Sequence, residues 1–147
     1  MRGADHLVVS REPLELAALF ALVAAPACGA SASFVGTVRS PNGGAVVRHI
    51  DYEGYEPMIV RQMRSIAAEL RGRYELGGVA MAHRLGRLAP GEASIAVVIS
   101  APHRREALAA CQEAIERAKV LLPVWKREAS EAGERWVAGS SAAAEPL

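Results

Sequence analysis

Apolar and polar positions along this chain follow two different periods. Period-two spacing marks strands with one buried face, and spacing near 3.6 marks helices. His6-Leu-Val-Val-Ser10 reads as a short strand. Pro13 then opens a helix through about Ala25, because a first helical turn tolerates a residue without an amide proton. Residues 29–39 (GASASFVGTVR) alternate, with Ala30, Ala32 and Phe34 on one face. Pro41-Asn-Gly-Gly44 supplies a turn and Val46 to Tyr52 returns as a strand, so the pattern predicts a hairpin. Pro57 starts a second helix, with Ile59, Met63, Ile66 and Leu70 at helical spacing and Gly77-Gly78 closing the region.

The second half repeats the mixture. Val79 to His83, Arg87-Leu88 and Ala93 to Ser100 are strand candidates, with Pro90-Gly91 as a turn. A third helix spans about His103 to Leu122 on the stripe Leu108, Cys111, Ile115, Leu122, and Pro123 stops it. Two short extended pieces follow, at Val124-Trp125 and Arg135-Trp136-Val137. The pattern predicts one α+β domain with mixed strands over residues 1–137, followed by a flexible tail at 138–147.

Composition narrows the function classes. A length of 147 residues suits a single core, and a net charge of +1 argues against a general nucleic-acid binder. The longest apolar run, Leu14 to Ala30, is broken by Glu15 and Pro26 and is too short to span a bilayer. Asp5, Glu12 and Glu15 stand where a signal peptide would carry positive charge, so a cytoplasmic protein is expected. Cys28 and Cys111 are far apart, without metal-ligand spacing, and read as structural; neither a metal nor a cofactor is expected.

One bias stands out. Of 17 basic residues only two, Lys119 and Lys126, are lysine. Arginine keeps its proton at neutral pH, whereas a partly buried lysine can lose one, so the two lysines are candidates for chemistry rather than surface charge. Chance survival of two lysines is the plainer alternative. By helix geometry Lys119 lies about 40° from Ile115, on the shoulder of the expected stripe. There it is either a partly desolvated amine or a chain whose stem covers the core edge. Polar residues also gather at element ends: Arg39, His83-Arg84, His103-Arg104-Arg105, and Lys126-Arg127, with Glu116 and Glu128 nearby. Singly each reads as a solvated charge; together they offer many donors to an anion. Phosphate-loop, nucleotide and nucleophile-elbow signatures are absent from the sequence.

Six segments in order carry a resemblance: GASASFVGTVRS (29–40), DYEGYEPM (51–58), HRLGRLAPGEASIAVVIS (83–100), PHRREAL (102–108), AKVLLPVWKRE (118–128) and GERWV (133–137). The chain resembles the large, catalytic subunits of molybdopterin synthase from about residue 6 to residue 137. That resemblance implies an α/β hammerhead-type mixed sheet with packed helices and a small added α+β subdomain. It further implies a homodimer in which each protomer binds a small ubiquitin-like carrier ending in a Gly-Gly thiocarboxylate, making a heterotetramer. The implied reaction transfers sulfur from the carrier to cyclic pyranopterin monophosphate, forming the dithiolene of molybdopterin. Lys119 and Lys126 match the family's essential lysines; Arg39, His103 and Arg104 match its substrate-binding residues, and Phe34 a pocket wall. Some relatives carry a further pocket arginine just after the Arg-Trp-Val segment, where this chain reads Ala138-Gly139-Ser140.

The residues agree with the implied chemistry. Guanidinium groups pair with phosphate oxygens, and without a CxxC pair the chain needs a sulfur donor. Lys119 is expected beside the attacked carbon, with a covalent role open, and Lys126 as acid or electrostatic clamp. Arg104 and Lys119 are 15 residues apart on one expected helix, roughly 22 Å at 1.5 Å per residue. A shared pocket would therefore take His103 and Arg104 from one protomer and the lysines from the other. The rival reading is a non-catalytic module that docks a ubiquitin-like tail or an anionic metabolite; it would tolerate arginine at both lysine positions.

Overall fold

Eleven elements form in the computed structural model, which describes residues 3–138. In chain order they are β1 (Asp5–Ser10), α1 (Leu16–Val23), β2 (Ala30–Thr37), β3 (Val47–Gly54), α2 (Glu56–Arg73) and β4 (Val79–Arg84), then β5 (Gly86–Leu88), β6 (Ala93–Ala101), α3 (Arg104–Leu121), β7 (Val124–Ser130) and β8 (Gly133–Ala138). The strands build two four-stranded sheets, ordered β1-β4-β6-β2 and β5-β3-β7-β8. The architecture is mixed α+β, as expected from the two periods.

In the first sheet β1 runs parallel to β4, while β4 with β6 and β6 with β2 are antiparallel. Both faces are covered, so β4 and β6 read as continuous apolar runs rather than as alternation. Met81, Ile95, Val97 and Ile99 join Met63, Ile66 and Leu70 of α2 and Ala114 and Ile115 of α3 in the larger core. The opposite face offers Ala80, Ala82, Ala96 and Val98 to Leu19 and Val23 of α1. That helix is shorter than expected. Its first turn closes with the Leu19 amide donating to the Glu15 carbonyl, which leaves Pro13 outside.

Two further expectations change. Strands β2 and β3 do not form a hairpin: β2 pairs with β6, and β3 with β5 and β7. The turn signal at 41–44 is real, closing an Asn42–Ala45 bridge, yet the segment crosses between sheets. Val38 stays tied to the β6 side through the Glu92 carbonyl at 3.0 Å, while the Val47 amide reaches back to Ser40 Oγ at 2.9 Å. The stripe of α3 is also rotated. Leu108 is 62% exposed, and the buried face is Ala107, Ala110, Cys111, Ala114, Ile115 and Ala118. Its centre lies roughly 60° from the stripe read from the larger side chains. Alanine lets α3 sit closely against the sheet, and small residues give a weak hydrophobic signal.

The second sheet is antiparallel and one-sided. Ile50, Tyr52 and Leu88 join the core. On the outward face, Asp51 accepts from Arg87 at 2.9 Å and Arg127 at 3.2 Å, and Arg127 lies over Trp136 at 5.4 Å. Strands β7 and β8 form a full hairpin where only two short extended pieces were expected. Of the tail expected at 138–147, Ala138 closes β8 and residues 139–147 lie outside the described residues.

Candidate functional site

The two sheets meet in a cleft of about 770 Å3, within the range of small-ligand sites. Phe34, Gly36 and Thr37 of β2, Val38 to Ser40 and Asn42 of the crossing segment, Ile50 and Tyr52 of β3, and Pro90-Gly91 form its walls. Lys119, from the last turn of α3, and Lys126, from β7, close it. Lys126 reaches the cleft because it is the cross-strand partner of Tyr52, on the inner face of the second sheet. Strand alternation then places Glu128 on that same face, where it is 3% exposed.

Arg39 is held through a short relay. Its Nη2 donates to Asn42 Oδ1 at 2.9 Å, and Asn42 Nδ2 donates to Glu128 Oε2 at 2.9 Å. Arg135 pairs with the other Glu128 oxygen at 3.5 Å. The amide of Asn42 therefore connects a pocket guanidinium to a buried carboxylate, and its orientation is set by both neighbours.

Charge at the lysines is unevenly distributed. Half-buried Lys126 has its pKa pushed below the ordinary lysine value by loss of water, then by the charge of Lys119, with Glu128 opposing. Lys119 itself is exposed, because the rotated face of α3 turns it away from the core. The partial desolvation that was one of two alternatives open for Lys119 is found at Lys126. Beneath both lies a crevice of about 20 Å3, bordered by Tyr52, His83, Ser94 and the two lysines. Burial, reinforced by the lysine charges, lowers the His83 pKa to about 4, against the raising effect of its hydrogen bond to the Arg84 carbonyl.

Of the six residues singled out in the sequence, the fold brings Phe34, Arg39, Lys119 and Lys126 to one cleft. His103 and Arg104 are not there. Both are exposed at the opposite end of α3, where His103 borders a separate depression with Arg73, Tyr74 and Glu106. Tyr52 and Asn42 line the cleft and were not singled out; the pairing of β3 with β7, which brings Tyr52 to Lys126, has no local signature. His83 and Glu128 were noticed as polar residues near element ends, without a role. Cys111 is buried, its thiol pushed up to about 11, in keeping with a structural part. Among the described residues no group of three His, Cys, Asp or Glu side chains could hold a metal, and no helix is long and apolar enough to cross a membrane.

A cleft with two lysines and an arginine, one lysine with its proton affinity lowered by burial, has the donors to bind an anion and a candidate group for proton transfer. Comparison with known proteins narrows that chemistry. The family model described as MoaE protein matches residues 9–120. The molybdopterin synthase catalytic subunit of Bacillus subtilis is 37% identical over 133 residues, covering 90% of this chain and 85% of that relative. A molybdopterin synthase structure from Staphylococcus aureus superposes with a TM-score of 0.84 at 29% identity, over 87% of this chain and 93% of that one. A Helicobacter pylori structure, the complex of subunits 1 and 2 of molybdopterin-converting factor, shares the fold with a TM-score of 0.71 at 22% identity, over 90% of this chain and 88% of that one. Against the Drosophila willistoni relative, the chain spans 34% of that protein's length. The chain belongs to the MoaE family, that of the molybdopterin synthase catalytic subunits.

Proposed function

We propose that this chain transfers sulfur from the thiocarboxylated C-terminus of a small ubiquitin-like carrier to cyclic pyranopterin monophosphate, forming the dithiolene of molybdopterin. The observation that carries the reading is the convergence of the chain's only two lysines on one cleft with Arg39. Arg39 binds the substrate phosphate, pre-aimed by Asn42. In each of two rounds the thiocarboxylate sulfur forms a carbon–sulfur bond as a carbon–oxygen bond at that substrate carbon breaks. The oxygen leaves on the opened phosphate or as water, and water then hydrolyses the acyl–sulfur bond to release the carrier as a carboxylate. Lys126, whose environment disfavours the ammonium form, exchanges the proton, and exposed Lys119 supplies positive charge to the developing anion. Lys126 thus keeps the acid role among those expected of it, and Lys119 takes an electrostatic role rather than a covalent one, because burial distinguishes the two amines.

His103 and Arg104 enter the same reading through a homodimer. They stand at the far end of an 18-residue helix from Lys119, so they complete the cleft of the other protomer across a two-fold axis. With a carrier on each protomer the assembly is a heterotetramer working in the cytoplasm. The decisive experiment incubates the purified chain with thiocarboxylated carrier and cyclic pyranopterin monophosphate and measures dithiolene product. Product appears under this reading; carrier binding without product would leave only a docking module. Mixing Arg104→Ala with Lys119→Ala protein tests the shared cleft. Activity returns if the clefts are composite, and stays absent after demonstrated subunit exchange if they are not.

A further inference from the structure

The sheet β1-β4-β6-β2 ends on β2, whose outer edge pairs with no strand among the described residues. Free edges are ordinarily blunted by charge, by proline or by brevity. The other free edges here follow that rule: β1 carries Asp5, β5 is three residues long with Arg87, and β8 carries Glu134 and Arg135. Over its eight residues β2 (ASASFVGT) carries neither charge nor proline. Its outward backbone groups follow from the ladder. Ser100 is bonded to the start of β4 on both sides of its Cα, its amide donating to the Gly78 carbonyl at 3.0 Å and its carbonyl accepting from the Gly77 amide at 2.7 Å. Alternation then turns Ile99 and Val97 toward β2, so their partners Ala32 and Phe34 carry the bonds to β6. Ser31, Ser33 and Val35 therefore present their amides and carbonyls at the free edge.

Helix α3 packs on both β6 and β2 and runs the same way as β2, from the Ala30 end toward the cleft. From Arg104 to Lys119 it covers roughly 22 Å, and β2 covers about 23 Å, so the two share a midpoint near Ser33 on the strand and Cys111-Gln112 on the helix. On one flank of α3, Glu113 and Arg117 pair with Arg73 and Glu69 of α2. At roughly 100° per residue, Arg104, Leu108, Ile115 and Lys119 lie on the other flank, over the free edge, where Leu108 is 62% exposed.

Resting on the sulfur-transfer reading and its shared cleft, we infer that the β2 edge and this flank of α3 bind a second copy of the chain, β2 pairing antiparallel with the partner's β2 about a two-fold axis at Ser33. Ser31 then bonds the partner's Val35, and the two four-stranded sheets become one continuous sheet. Strands about 4.8 Å apart, with α3 seated between β6 and β2, set the two α3 helices roughly 10 Å from each other, an ordinary packing distance. The same axis exchanges the ends of α3. Leu108 meets the partner's Ile115, and Arg104 comes alongside the partner's Lys119. One rotation thus covers the bare edge, buries the exposed leucine and completes each cleft.

The test is self-association of the full chain, followed by sedimentation without substrate or carrier. Wild-type chain sediments as a dimer. Leu108→Arg, a change at an exposed position that leaves circular dichroism unaltered, raises the dimer Kd by about 100-fold or more. Leu22→Arg, at an exposed position on α1, leaves it unchanged. Ser33→Cys reports the register: facing Cα atoms of a hydrogen-bonded antiparallel pair stand about 5.5 Å apart, within disulfide reach. Mild oxidation therefore links Ser33→Cys chains into a covalent dimer and leaves wild-type chain, with Cys28 and Cys111, unlinked. Dithiolene formation by Leu108→Arg falls with its dimer fraction and returns at high protein concentration. A monomeric wild type, a dimer indifferent to Leu108→Arg, or a dimer that Ser33→Cys does not link overturns the inference. Wild-type dimers that respond as expected but make no dithiolene would instead overturn the sulfur-transfer reading and leave the interface standing.

Discussion

The two sheets of this molecule use the same strand geometry for opposite ends. In β1-β4-β6-β2 both faces are sealed by helices, and nearly every residue of β4 and β6 is buried, most of them apolar. In β5-β3-β7-β8 the inner face carries Lys126 and Glu128 next to Ile50 and Tyr52, placing charge where the first sheet places methyl groups. A buried charge costs free energy unless it is paired or loses its proton. Glu128 is paired, through Asn42 and Arg135; Lys126 has its proton affinity lowered instead. The first sheet thus supplies stability and the second spends part of it on chemistry.

Breaking this contrast should produce effects of very different size. The largest belongs to the lysines. Lys126→Ala and Lys119→Ala each lower dithiolene formation by about 1,000-fold or more, roughly 4 kcal/mol of barrier, while circular dichroism shows an unchanged fold. Lys126→Met adds a sign test. A lysine with a lowered folded-state pKa binds its proton less well folded than unfolded, which costs stability at pH 7 and less as pH rises toward 10.5. The Met variant is therefore inactive but melts higher than wild type at pH 7, and the difference shrinks toward pH 10.

The first sheet answers differently. Ile99→Ala removes a fully buried side chain between β6 and the helices and should cost about 2–5 kcal/mol by denaturant titration, with activity per folded molecule retained. Glu128→Ala falls between the two regimes. It leaves the Asn42 amide without its acceptor, costing about 1–3 kcal/mol, and releases Arg39, raising KM for the phosphate-bearing substrate. Should Glu128→Ala leave KM unchanged, the relay is structural only.

Smallest is the outward face of the second sheet. Trp136→Ala removes an exposed cation–π contact and should change stability by about 1 kcal/mol or less. Asp51, held below the usual carboxylate range first by its hydrogen bond from Arg87, contributes stability above pH 3.8 that is lost as pH falls through its lower folded-state value. An Asp51→Asn variant should match wild type in acid and fall slightly below it at neutral pH.

What the sequence disclosed follows the same division. Periodicity located α2, β4 and β6 closely, because large apolar side chains at regular spacing report burial directly. The face of α3 was misjudged since its buried side is mostly alanine, which also misplaced Lys119 relative to the core. The β7–β8 hairpin was read as fragments because β7 turns lysine and glutamate inward, contrary to any apolar-in rule. Phe34, Arg39, Lys119 and Lys126 were legible through resemblance and through the scarcity of lysine. Tyr52 and Asn42 were not, since their approach to the lysines depends on β3 pairing with β7 rather than with β2, a choice made by long-range packing. The separation of His103 and Arg104 from the lysines was legible from helix length alone.

The account stands or falls on whether an amine able to shed its proton is required at position 126. Single-turnover dithiolene formation by Lys126→Arg protein, with thiocarboxylated carrier and cyclic pyranopterin monophosphate in excess and melting temperature matched to wild type, measures this directly. A guanidinium keeps the positive charge and cannot give up its proton at neutral pH. The account predicts that product formation falls by about 100-fold or more; turnover at the wild-type rate would contradict it and reduce the cleft to an electrostatic clamp.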